Sequence, residues 1–322
     1  MSTTATDTAT PHYAQPTASS NAMSRKSLTS LLPHAKLILH PSAKRGHADH
    51  GWLNTHHTFS FASYHDPRYV SHGALRVLNE DRVAPKSGFP THPHRDAEIF
   101  SYILSGELTH RDSLSSGKDK NSLTDNDFFR MKRGDVQFTT GGTGIAHSEQ
   151  NEHATEPVHF LQIWVLPWKR NLMPNYHTKT FDEARKREGW VTIVSPLKAG
   201  QNATPQEEKA AEASVLGSIP IHADFLMGAA IIGEGKSFGW KVGGPGGVVS
   251  TLKGRKAFVH LPASKHGESR VRINGQEEAG GVVLKEGDGV FVSGVNAGDV
   301  LNVESVGEGE MEVVLFDSGD VE

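Results

Sequence analysis

The sequence predicts an all-β protein built of two tandem β-barrels with a few short helices, and three observations carry that prediction. Short runs rich in aromatic and β-branched residues recur at close spacing, bounded by Gly, Pro, Asn and Asp. The same rhythm returns in the second half of the chain without sequence repetition. At 322 residues the chain is long enough for two domains of ordinary size.

In chain order, residues 1–33 are Ser-, Thr-, Ala- and Pro-rich and bury too little apolar surface to offset ordering, so a disordered tail is expected. Residues 34–182 form the expected first barrel. Ordered structure is read to start at Lys36–His40, and its strands at 57–61, 74–79, 98–105, 107–112, 126–131, 135–140 and 158–166. A polar loop is expected over 115–127, and a short surface helix near Phe181–Glu188. Residues 183–322 form the expected second barrel. Thr204, Pro205 and Glu207 have the layout of a capping box and predict a helix running to Ala213. Strands follow at 225–233, 237–242, 255–261, 269–273, 281–284, 289–293, 299–305 and 310–317, with a hairpin turn at Asn274-Gly275.

Composition narrows the function. A net charge of −4 with scattered basic residues carries no footprint for direct nucleic-acid contact. No apolar run approaches the ~20 residues of a membrane span. The absence of cysteine excludes disulfides, thiolate metal sites and thiol catalysis. Cytoplasm and/or nucleus is the expected location, with mitochondrial targeting as the alternative raised by the basic, Ser-rich stretch Met23–Leu32.

Chemistry concentrates between Gly88 and Glu149. Side chains at i and i+2 of a strand leave the same face. His92 therefore points with His94, and His147 with Glu149; Glu98 points with the first pair if no bulge intervenes. Gly141, Gly142 and Gly144 allow the sharp turn that brings His147 to the barrel mouth. Two neighbouring strands can then converge three imidazoles and one or two carboxylates on one point. Neutral imidazole suits divalent iron, nickel, copper and zinc, and four protein ligands leave an octahedron two open positions. Spacing alone fits either Glu98 or Glu149 as the carboxylate. His47, His50, His56 and His57 share no face and are read as packing residues, Arg95 and Asp96 as a solvated rim pair. Trp52, Phe59, Phe61, Phe100, Phe138, Phe160 and Trp164 read as core and barrel lining, with a subset near the metal able to flank an aromatic substrate. Gly243–Gly247 reads as a turn. His260 and His266 do not repeat the H-x-H pattern, so the second barrel is expected to lack a metal.

The spacing H-x-H-x3-E followed by G-x-G-x2-H resembles the two motifs of the cupin superfamily. Four blocks narrow the likeness to the pirin family: Arg45–Trp52, His92–Glu98, His110–Ser113 and Gly134–Glu149. The resemblance implies a bicupin with one divalent metal in the first barrel, iron(II) expected and nickel, copper, manganese or zinc as alternatives. Carried over by position, the ligands are His92, His94, His147 and Glu149, with Glu98 orienting a ligand imidazole. The implied activity is a quercetin 2,3-dioxygenase type, in which a small aromatic substrate and dioxygen meet at the metal and Glu149 or Glu98 takes a proton. The competing expectations are a non-catalytic iron-binding co-regulator acting through protein partners, and a non-oxidative cupin enzyme on a small metabolite.

Overall fold

Strand-forming residues dominate from Lys36 to Ser318 and arrange into four sheets. The computed structural model describes residues 32, 34–112, 129–245, 254–264, 267–274 and 281–319. The expected tail apart from Leu32, the polar loop 115–127, the turn at Gly275, Gly246 and Gly247, and His266 lie outside the described residues. The strands of the first half are β1 (Lys36–His40), β2 (Gly46–Asp49), β3 (Leu53–His57), β4 (Leu75–Val83), β5 (Ser87–His94) and β6 (Glu98–Ser105). They continue with β7 (Glu107–Asp112), β8 (Phe129–Lys132), β9 (Asp135–Thr140), β10 (Ile145–Asn151), β11 (Val158–Val165) and β12 (Asn175–Thr180). Helix α1 (Glu183–Glu188), β13 (Val191–Pro196), α2 (Pro205–Ala210) and β14 (Ile219–Ile221) follow. The remainder is β15 (Phe225–Ile232), β16 (Ser237–Lys241), β17 (Arg255–His260), β18 (Arg270–Ile273), β19 (Val282–Lys285), β20 (Gly289–Val295), β21 (Val300–Ser305) and β22 (Met311–Ser318).

Each half closes a seven-stranded sheet over a four-stranded one. The first pairs the order β12-β9-β6-β11-β4-β3-β2 with β5-β10-β7-β8; the second pairs β1-β20-β17-β22-β15-β13-β14 with β16-β21-β18-β19. These are two cupin-type β-sandwich barrels. Lys36–His40, which the sequence placed with the first barrel, forms β1 at the edge of the second barrel's sheet, antiparallel to β20. Both predicted helices form. Asp182 caps α1 through the Ala184 backbone N–H, and Thr204 with Glu207 builds the capping box of α2. Helix α2 stops at Ala210 rather than Ala213, because Ala211 turns into the left-handed region at φ 48°. Four strands read weakly from sequence: β12, β13 and β14 are polar, short or Pro-containing, and β2 is a four-residue edge strand.

The two seven-stranded sheets pack face to face. Phe100, Tyr102, Phe138 and Leu161 from the first meet Phe225, Met227, Phe258 and Phe316 from the second in one buried cluster. Leu53, Val83, Ile103, Leu108, Met131, Val158 and Phe160 form a separate cluster in the first barrel. Strand β6 thus has both faces covered, which is why it reads as a near-continuous apolar run instead of an alternating one.

Two buried polar networks tie the barrels at this interface. Glu98 accepts from the His222 backbone N–H at 2.7 Å and from Thr140 Oγ1 at 3.0 Å, and meets His222 Nδ1 at 2.6 Å. His222 Nε2 in turn meets Glu208 of α2 at 2.7 Å, and Lys169 reaches the same carboxylate. Burial alone would lower the His222 imidazolium, but the hydrogen bond and charge of Glu98, then those of Glu208, more than offset it and hold the group above its usual range. The second network centres on Glu80, which takes Arg45 Nη1 at 2.8 Å, His159 Nε2 at 2.9 Å, His260 Nε2 at 3.2 Å and the Ala263 N–H at 2.8 Å. Burial opposes its charge, yet the hydrogen bonds of His159 and His260 and the charge of Arg45 keep this carboxyl well below its ordinary range.

A group whose folded pKa is raised stabilises the fold below its unfolded value, and that contribution is lost as pH rises through the folded value. The thermal-midpoint advantage of the wild type over His222→Gln is therefore largest at and below about pH 6 and shrinks as pH climbs past the ordinary ~6.5; a difference that stays flat with pH refutes the assignment. Phe258→Ala, which empties the interface where Phe258 meets Phe59 and Phe291, should cost about 3–5 kcal/mol in denaturant unfolding.

Candidate metal centre

The centre is built on three adjacent strands of the first barrel's small sheet, in which β10 lies between β5 and β7. His147 of β10 sits directly opposite His92 of β5, and Ile145 opposite His94. Side chains of β10 alternate strictly in burial, so His147 and Glu149 both turn inward. A bulge shifts the β5 register between His147 and Glu149. Gly88 is required beside it, since a Cβ there would stand 2.2 Å from the Glu149 carbonyl oxygen. The turn into β10 depends on Gly142, at φ 42°, where a Cβ would meet the Leu172 carbonyl at 2.0 Å.

His92, His94 and His147 converge with one nitrogen each, all within 4.8 Å of one another, and no other group of three potential ligands occurs among the described residues. Their ring centroids form a near-equilateral triangle of 4.7, 4.6 and 4.6 Å. His92 donates from Nδ1 to the Pro90 carbonyl at 2.8 Å, which leaves Nε2 as the free nitrogen. That Nε2 faces His147 Nε2 at 3.1 Å. Two nitrogens each ~2.1 Å from one cation, at right angles to each other, stand about 3 Å apart, so the pair fits a single ion. Burial, then the charge of His92, lowers His94 to about 4; burial, then His110, His94 and His92, lowers His147 to about 2. Neutral imidazoles are the form that binds metal.

The two carboxylates behave differently. Glu149 is buried two residues beyond His147 on the same face, but Ser101 Oγ donates to one oxygen at 2.7 Å and Gln162 Nε2 to the other at 2.9 Å. Its oxygens lie outside the three-nitrogen cluster. Burial raises its pKa, opposed by Ser101, His92 and Gln162. Glu98 does not point with His92 and His94. The turn Arg95–Ala97, with Asp96 at φ 51°, resets the alternation between β5 and β6, so Glu98 leaves the opposite face and binds His222 at the interface. Arg95 and Asp96 are more than a solvated pair: Arg95 donates to the Asn171 side chain and Asp96 accepts from the Asn171 N–H, which secures this turn.

Aromatic rings wall the mouth. Trp164 meets His94 edge-on at 4.9 Å and Phe61 meets Trp164 at 5.6 Å, while Phe89 lies beside His92 with Trp52 behind it. Two residues escaped the sequence reading. His110, recognised there only as part of a family block, places Nε2 at 2.8 Å from His147 Nδ1. Asp81, fully enclosed on β4, is pushed up to about 7 by burial, with Thr55 opposing and the Glu149 charge adding. The histidines read as packing residues do pack: His47 and His56 lie ring against ring at 4.6 Å, and His57 bonds Asn79 at 2.8 Å.

Fold and site together define a class: a two-barrel cupin with a three-imidazole centre suited to a divalent metal in its first barrel. The Pirin family model matches residues 39–165. A Pseudomonas aeruginosa protein named "Putative quercetin 2,3-dioxygenase PA1210" is 35% identical over 266 residues, spanning 82% of this chain and 97% of the relative. The Escherichia coli K12 protein named quercetin 2,3-dioxygenase is 40% identical over 160 residues, 50% of this chain and 63% of the relative. The crystal structure of YhhW from Escherichia coli superposes with a TM-score of 0.68 at 28% identity, over 89% of this chain and 99% of that one. A structure of the same bacterial pirin in complex with nickel(II) gives 0.66 at 28% identity, over 89% and 100%. The chain belongs to the pirin family.

His147→Ala should lower nickel(II) affinity, measured by titration calorimetry, by more than the ~10–100-fold typical for loss of an outer partner. His47→Ala, outside the cluster, should leave it unchanged.

Proposed function

We propose that the chain is a metal-dependent dioxygenase that opens the central ring of a flavonol such as quercetin, with iron(II) as its metal. The observation that supports this reading most is the cluster of three imidazoles set in an aromatic-walled mouth. His92, His94 and His147 would hold the ion, and Glu149 would join as the carboxylate ligand by leaving its bonds to Ser101 and Gln162. Bound there, the metal would supply Lewis acidity toward the flavonol hydroxyl and a site for dioxygen chemistry.

The chain's own residues do the rest. Trp164, Phe61 and Phe89 flank a planar aromatic and keep bulk water from the reacting ring. Glu149, whose pKa is raised by burial, is placed to accept the flavonol's proton once it has left Ser101 and Gln162. Glu98, enclosed at the barrel interface, takes no part in the proton transfer. In the overall reaction both atoms of dioxygen enter the products and one ring carbon leaves as carbon monoxide.

Protein loaded with iron(II) or nickel(II) should consume oxygen and release carbon monoxide one for one with quercetin loss, and His92→Ala should abolish all three. Absence of metal-dependent flavonol loss overturns the reading. Turnover of a small metabolite without oxygen uptake would assign a non-oxidative reaction instead.

A further inference from the structure

The seam between the two barrels opens into a cleft of about 450 Å³. The ends of β4, β6 and β11 wall it from the first barrel; residues 261–264 and the start of β22 wall it from the second. Its volume falls in the range of ~300–1,000 Å³ typical of small-molecule sites. The cleft is separate from the metal centre. None of His92, His94 and His147, nor the rings around them, lines it. Strand β11 reaches both places, with His159 at the cleft and Trp164 against His94, five residues or about 17 Å apart along the strand.

The wall combines apolar surface with a single unmatched cation. Leu104, Val158, Leu261, Pro262 and Met311 supply the apolar part, and the guanidinium groups of Arg82 and Arg133 stand among them. Arg133 is matched: it binds Glu183 and, at 2.9 Å, Glu312, and it donates to the Leu104 carbonyl at 2.7 Å. Arg82 is not. Glu80, the carboxylate within 4 Å of it among the described residues, stands 3.8 Å away and already holds Arg45 at 2.8 Å. Arg82 donates instead to the Ala263 carbonyl at 3.1 Å, which fixes the group at the cleft with its side chain 35% exposed. The carboxylates nearby have partners of their own. Glu312 also takes Lys186 at 2.7 Å, Glu310 takes Arg187 at 2.9 Å, and Glu286 accepts from the backbone N–H groups of Ser264 and Ser269. A guanidinium held in a partly dry wall gains most from a carboxylate, which it can grip with two parallel N–H bonds.

We propose that this cleft is a second ligand site, for a small organic monocarboxylate whose charge pairs with Arg82 and whose apolar body packs on Val158, Leu261 and Met311. A ligand with several negative charges fits it poorly, because one cation is unmatched and Glu310 and Glu312 stand in the same wall. With walls from both barrels, the bound molecule bridges them. The site needs neither the metal nor flavonol chemistry, so failure of quercetin turnover leaves it standing.

The probes are 2-naphthoate and its neutral counterpart 2-naphthamide, titrated by calorimetry into nickel(II)-loaded protein. Naphthoate should bind once per chain and about tenfold or more tighter than the amide. Arg82→Gln should weaken naphthoate by about 10–100-fold and leave the amide unchanged. On zinc(II)-loaded protein, the methyl NMR signals of Val158, Leu261 and Met311 should shift in step with naphthoate occupancy. The proposal is overturned by naphthoate binding no tighter than the amide, by wild-type naphthoate affinity in folded Arg82→Gln, or by methyl signals that do not move. Binding that disappears in His92→Ala would place the probe on the metal and overturns it as well. If Arg82→Gln does not fold, the naphthoate-to-amide ratio and the methyl shifts of the wild type decide.

Discussion

The metal centre depends on a single register, the pairing of β10 against β5 that sets His147 opposite His92. A slip of one residue would turn His147 and Glu149 out of the barrel and present Ala146 and Ser148 in their place. The neighbouring strand β7 adds a second constraint, because its own register with β10 brings His110 alongside. Three strands thus deliver four imidazoles to one spot from backbone hydrogen bonding, before any side chain chooses a rotamer. The close approach of Gly88 to β10 shows how little slack that pairing has.

Much of this was legible in the chain. Strong β-formers bounded by turn residues gave β6, β7 and β9 to the residue, and the i, i+2 rule on two strands was sufficient to bring the three histidines together. Glu98 shows where such reasoning ends. Alternation carries a face prediction along one strand only, and the left-handed Asp96 between β5 and β6 cancels it. Glu149 was placed on the right face, but a face does not reveal that Ser101 and Gln162, from two other strands, occupy both its oxygens. His110 was invisible for the same reason: its significance lies in a cross-strand contact that no local pattern encodes.

The barrels are not two independent units on a tether. One face of β6 contributes Ser101 and Ile103 to the first barrel, and the other gives Glu98, Phe100 and Tyr102 to the shared interface. The buried charges there are matched in detail, and removing one member of the Glu80 network would leave others enclosed without a partner, a larger penalty than the pair's net contribution. The capping box that starts α2, visible in four residues of sequence, acquires a purpose here, since that helix holds Glu208 against His222. Arg45, the first residue of a family block, likewise reaches the Gly287 carbonyl of the second barrel.

Strand β1 completes the second barrel's large sheet from the far end of the chain. During synthesis on the ribosome this strand must wait until residue 295 has emerged before it finds its neighbour, a separation of the kind that slows folding. A fragment cut to begin after residue 40 would carry all the second barrel's other strands yet expose the unpaired backbone of β20, an open edge that invites another copy to take the vacant place.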